Sequence, residues 1–213
     1  MPMDTDNTSL LLLLNWMSPT FPIGSFAYSN GLEQAIADGR IATQGDVEQW
    51  ISNLLQSGSG WNDAILFAQC WHSNPNELAL ALAGSAERYS ETTQLGRNFN
   101  IAANVWTGSD LRDGLMAYPV AAGLACKRMN ISQQQALAAY LQGFCAALVS
   151  VAARLVPLGQ IAGLKVLRNL APLISSTARR AASAAIDDLG SNCIAAEIAA
   201  MKHETLETRI FRT

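Results

Sequence analysis

Histidine is almost missing from this chain: 213 residues hold two, His72 and His203. Positive charge is also scarce, with 14 lysines and arginines against 17 acidic residues, a net charge of -3 and no basic run. That balance lacks the electrostatic footprint a nucleic-acid binder needs. The four cysteines, Cys70, Cys126, Cys145 and Cys193, form no CxxC pair. With two distant histidines they offer neither a closed metal site nor a disulfide framework. In apolar helical surroundings they read as reduced core thiols, which places the chain in the cytoplasm. No positively charged segment precedes the five leucines at 10–14, so a secretory signal is not expected.

The vocabulary of catalysis is equally thin. No G-x-S-x-G elbow and no glycine-rich phosphate loop with its lysine occurs, and His203 with Glu204 lacks the second histidine of a zinc-protease helix. In "CWH" at 70–72, thiol and imidazole would point to different sides of a helix, so core packing is expected of both. An enzymatic reading, an all-helical hydrolase or lyase with an acidic site, would have to start from Asp187 and Asp188. That pair reads more simply as a solvated face. No catalytic and no metal-ligating residue is assigned.

Alternating strand patterns are absent as well, whereas apolar residues recur at helical spacing nearly everywhere. The expectation is an all-α single domain over 1–213, a bundle of about nine or ten helices. A first helix capped by Thr8 or Ser9 runs to Met17, and a second spans Asn30 to Gly39. Thr43 and Asp46 form a capping box for a helix carrying Val47, Trp50, Ile51, Leu54 and Leu55. "SGSG" at 57–60 breaks it, and Trp61 to Trp71 continues. Pro75 opens the next helix, Ser90 to Val105 forms another, and 107–114 is a loop. Further helices are expected over 119–129, 132–155, 160–170, 172–185 and 192–203.

Residues 136–153 carry no charge, which invites a membrane reading. Gln142, Ser150 and abundant alanine argue instead for a central buried helix. Leu137, Leu141, Phe144, Leu148, Val151 and Leu155 make a large stripe, and Ala139, Gly143 and Ala147 a small one.

Two segments break the pattern. "SPTFPIGSFAYSNGLEQAI" at 18–36 is a loop too apolar for a mere connection, with Phe21, Ile23, Phe26 and Tyr28 beside Pro22, Gly24 and Ser25. It is expected to present outward aromatics on a stiff backbone, Pro22 fixing one turn and Gly24 permitting another. The C-terminal segment 202–213, "KHETLETRIFRT", mixes charge with apolar anchors, Leu206 and Ile210 one helical turn apart with Arg209 and Arg212 beside them. It reads either as a frayed chain end or as an arm that orders on a partner.

"SPTFPIGSFAYSNGLE", "RLVPLGQ" at 154–160 and "MKHETLETRIFRT" at 201–213 together resemble the urease accessory protein UreF family over nearly the whole chain. The resemblance implies an all-helical, homodimeric, non-enzymatic adaptor in nickel delivery to urease. Such a protein binds UreD, also called UreH, recruits the GTPase UreG, and meets the urease apoprotein through that complex. No cofactor is intrinsic, since the assembly handles nickel. Carried over by motif, Phe26 and Arg209 belong to the UreD-facing side, and Glu33 and Arg154 face UreG. The full partner-binding set is Phe21, Pro22, Gly24, Ser25, Phe26, Tyr28, Glu33, Arg154, Arg209, Ile210 and Phe211.

Overall fold

The computed structural model describes residues 5–108 and 114–212. Among them are ten α-helices and no strand: α1 (Thr5–Trp16), α2 (Leu32–Ala37), α3 (Gln44–Ser57), α4 (Ser59–Gln69), α5 (Asn76–Ala81), α6 (Ala86–Thr107), α7 (Tyr118–Arg128), α8 (Gln133–Leu155), α9 (Gly159–Ala182) and α10 (Ile194–His203). Single 3-10 turns lie at Ser25–Ala27 and Ile186–Asp188. The all-α expectation is met. One core runs from Leu12 of α1 to Phe211 near the C-terminus.

Local chemistry explains the boundaries. The Thr43 and Asp46 capping box opens α3: the Asp46 N–H donates to Thr43 Oγ1, and the Thr43 N–H donates back to the Asp46 carboxylate. The backbone N–H of Ala42, with the hydroxyl and backbone N–H of Thr43, holds the Asp46 carboxyl below its ordinary range. Gly58 joins α3 to α4 as "SGSG" suggested.

α8 passes through the middle and packs against α9, α4, α2, α3, α7 and α1. It is long and apolar enough to cross a membrane, yet its large stripe is spent on neighbours: Leu137, Leu141, Leu148 and Val151 are buried. On its small stripe the chain leaving α1 approaches closely, and a Cβ on Gly143 would come 3.1 Å from the Met17 carbonyl. An aromatic column braces this centre, from Trp16 through Phe99, Tyr118 and Tyr140 to Phe67.

Three boundaries differ from expectation. The two helices expected at 160–170 and 172–185 are one, because Pro172 faces solvent and so does the residue whose carbonyl it orphans, Arg168, leaving that carbonyl to water. α6 begins a turn earlier than Ser90, since Ser85 accepts the Arg88 N–H and caps it. α1 starts at Thr5, ahead of Thr8 and Ser9. The loop expected at 107–114 lies largely outside the described residues.

Candidate partner-binding site

The apolar loop after α1 is mostly turned inward. Phe21, Ile23 and Tyr28 are buried, correcting the expectation of outward aromatics. Phe21 packs on Phe99 of α6, and the Tyr28 hydroxyl donates to Gln94. Of the loop's aromatic rings only Phe26 faces solvent, at 56% exposure. It does so because the Ile23 N–H reaches back across Pro22 to the Phe21 carbonyl, and Gly24 then takes φ +83° in front of the Ser25–Ala27 turn. Two successive tight turns lift Phe26 out of a segment that Phe21, Ile23 and Tyr28 anchor in the core.

The C-terminal segment is folded back onto α2 and α6. α10 ends at His203, so Leu206 and Ile210 do not share a helical face. The buried anchor is Phe211, while Ile210 points out at 70% exposure. The Arg154 guanidinium, in the last turn of α8, lies 5.9 Å over the Phe211 ring. The Arg212 N–H donates to the Ala27 carbonyl at 2.7 Å, and its guanidinium donates to Gln94 at 3.2 Å.

Glu33 holds this arrangement from below. Expected on a partner-facing surface, it is instead buried beneath the tail. Its Oε1 accepts the Ile210 N–H at 2.7 Å and its Oε2 the Phe211 N–H at 2.9 Å. The fully buried ring of His203 lies between Glu33 and Glu87, with Nε2 2.9 Å from Glu33 Oε2 and Nδ1 2.8 Å from Glu87 Oε2. Glu87 in turn accepts from Arg209 at 2.6 Å, and Glu204 accepts the Ala86 N–H at 2.9 Å. α2, the first turn of α6, α10 and the tail therefore meet in one polar clasp. Gly31, at φ +75°, lets α2 approach α10: a Cβ there would come 2.9 Å from the Ala196 carbonyl.

Sequence reasoning missed His203 and Glu87. Ser85, the cap that puts Glu87 on the first turn of α6, was the available signal. His203 carried none beyond its place in "MKHETLETRIFRT".

A second polar cluster lies deeper. Arg88 grips both oxygens of Asp63, at 2.8 and 2.7 Å, and reaches Glu91 at 3.2 Å. The Tyr140 hydroxyl donates to Asp63 at 3.1 Å. Asp63 and Glu91 thus share the Arg88 guanidinium. Burial pushes the Glu91 carboxyl above its ordinary range, the Arg88 charge opposing it. Cavities of about 120 Å³ and about 80 Å³ border this cluster, and Asn30, Asp63, Arg88 and Glu91 line both.

Among the described residues no three His, Cys, Asp or Glu side chains gather as metal ligands. Asp187 and Asp188 form no acidic site: the Asp188 carboxylate accepts the Ala185 N–H and closes the 3-10 turn, and its carbonyl accepts from Trp61. Cys70 is buried as expected, but His72 is exposed because α4 ends at Gln69.

The sequence profile of the UreF family matches residues 41–171. A "Urease accessory protein UreF 1" of Brucella canis is 43% identical over 217 residues, covering 97% of this chain and 95% of the relative. The chain belongs to the UreF family. "Urease accessory protein UreF" of Rhizobium leguminosarum bv. viciae is 43% identical over 223 residues and that of Rhizobium etli 42% over 221, covering 100% and 99% of each chain. Urease accessory proteins are maturation factors and not catalysts, and this UreF chain is accordingly no enzyme. The profile stops short of both the Phe26 turn and the C-terminal segment, while the full-length relatives extend over both.

Proposed function

We propose that this UreF chain is an adaptor in urease maturation that binds UreD/UreH through the Phe26 turn and residues 209–212. It then recruits the GTPase UreG, and through that complex meets the urease apoprotein. Nickel is handled by the assembly, with no resident metal on this chain, and the protein works as a homodimer in the cytoplasm. The observation that carries the reading is the backbone bond from Arg212 to Ala27, which sets two chemically distinctive segments side by side. Exposed Phe26 and Ile210 then supply apolar anchors, with Arg209 between body and solvent. Phe21, Tyr28, Glu33 and Phe211 serve that surface from underneath.

Homodimerisation is supported by apolar side chains left outside, Leu10, Leu11 and Leu14 on α1 and Ile161 and Leu164 on α9. Co-expression with UreD/UreH followed by size-exclusion chromatography and light scattering tests both points. Wild type is expected to co-elute with UreD/UreH as a complex. Phe26→Ala is expected to weaken it by about 2 kcal/mol, and Arg209→Ala by about 2 to 5 kcal/mol, with helical circular dichroism unchanged. Wild-type binding by a chain lacking 204–213 would move the interface elsewhere.

A further inference from the structure

Glu33, His203, Glu87 and Arg209 form a line of alternating charge. Glu33 has both oxygens occupied by tail N–H groups, so it is an acceptor only. Glu87 has one oxygen on the Arg209 guanidinium. Both carboxylates then face the same imidazole, one at each nitrogen, at 2.9 and 2.8 Å. An imidazole carrying one proton can donate to only one of them. Its other nitrogen would set a lone pair against a carboxylate oxygen in a place where the ring is 0% exposed and the direct separations of 2.9 and 2.8 Å leave no room for a bridging water. With both protons, two cations balance two anions.

From this geometry we infer that His203 is a proton-operated latch for the C-terminal segment: doubly protonated it clamps residues 209–212 onto α2 and α6, and loss of one proton releases them. The groups around it agree in sign. Glu33 faces the ring from α2, Glu87 from α6, and Arg209 reaches Glu87 from the tail. Glu204 is turned to the Ala86 N–H, Arg154 of α8 is over Phe211, and Arg212 is on Gln94. The ring also ends α10, where the helix dipole favours a cation. Because the clamped form holds the extra proton, clamping is strongest at low pH within the range where the carboxylates stay ionised, and weakens as pH rises. The latch stands whether or not the proposed partner is the right one.

Hydrogen exchange of the full chain, read for residues 209–212 from about pH 6 to about pH 9 and corrected for intrinsic exchange, tests this without any partner. An internal α8 peptide serves as standard. In wild type, protection of the tail is expected to fall at least about tenfold across the range while α8 stays constant. Glu87→Gln gives the decisive contrast. Its amide can donate to Nδ1, so a singly protonated ring suffices and the pH dependence should flatten. His203→Gln should leave the tail weakly protected at every pH. Should that variant fail to fold, wild type and Glu87→Gln decide alone. Wild-type protection that does not change with pH, or an unaltered slope in Glu87→Gln, would overturn the latch.

Discussion

The Phe211 ring is buried beneath Arg154 while its neighbour Ile210 points into solvent, so adjacent residues of the tail have opposite roles. Replacing a core phenylalanine by alanine costs about 3 to 5 kcal/mol where the structure must absorb the hole. The tail can instead lift away with the helices intact, which caps the loss. Phe211→Ala is therefore expected to lower stability to urea by only about 1 to 2 kcal/mol, and to speed tryptic cleavage after Arg209. Ile210→Ala should stay within about 0.5 kcal/mol of wild type and leave cleavage unchanged.

Arg88 pairs with both Asp63 and Glu91. Arg88→Ala would leave two buried carboxylates facing each other and is expected to cost about 3 to 5 kcal/mol in urea denaturation. Tyr140→Phe removes a single donor to Asp63 and should cost about 1 kcal/mol.

Glu91 gives the core a pH dependence of definite sign. Its carboxyl is raised above the unfolded value, so the native state takes up a proton more readily than the unfolded chain. The stability linked to Glu91 is then fully present below the ordinary glutamate range and is lost as pH rises through the elevated folded value. Glu91→Gln should remove that decline. The difference between the two proteins in urea midpoint, measured from acid to neutral pH, should shift in favour of the variant as pH rises.

Thiol reactivity should separate one cysteine from three. Burial pushes the Cys70 and Cys145 thiols up to about 12 and that of Cys126 higher still. Cys193 is only partly covered, and its smaller rise from burial is opposed by a hydrogen bond from Ser57. A disulfide reagent at neutral pH should titrate one thiol, Cys193, in the native protein and all four in denaturant. Modification of Cys126 in the native state would contradict the packing around α7.

What the sequence made legible was local. Thr43 and Asp46 named their own capping box, Gly58 its break, and the leucines of α8 its buried face, because each signal lies within a turn or two of the structure it dictates. Pro172 misled since a helix tolerates a proline more readily where the freed carbonyl is open to water, and solvent exposure is a tertiary fact. The clasp was hidden for the same reason. Glu33 looks like an ordinary first-turn carboxylate until Ile210 and Phe211 return to it. Phe21 and Tyr28 share the composition of Phe26, and only the turns at Pro22 and Gly24, with the packing behind them, decide which ring is left outside.

Glu33 meets Ile210 and Phe211 across separations of 177 and 178 residues. Closing so long a loop is entropically costly, and nearly the whole chain must be ordered before these bonds can repay it. The surface bearing Arg209 and Ile210 is thus expected to be completed late on folding and to open early. In a stopped-flow refolding experiment, helical signal should recover ahead of protection at 209–212, leaving a brief interval in which the body is native and its proposed binding edge is not.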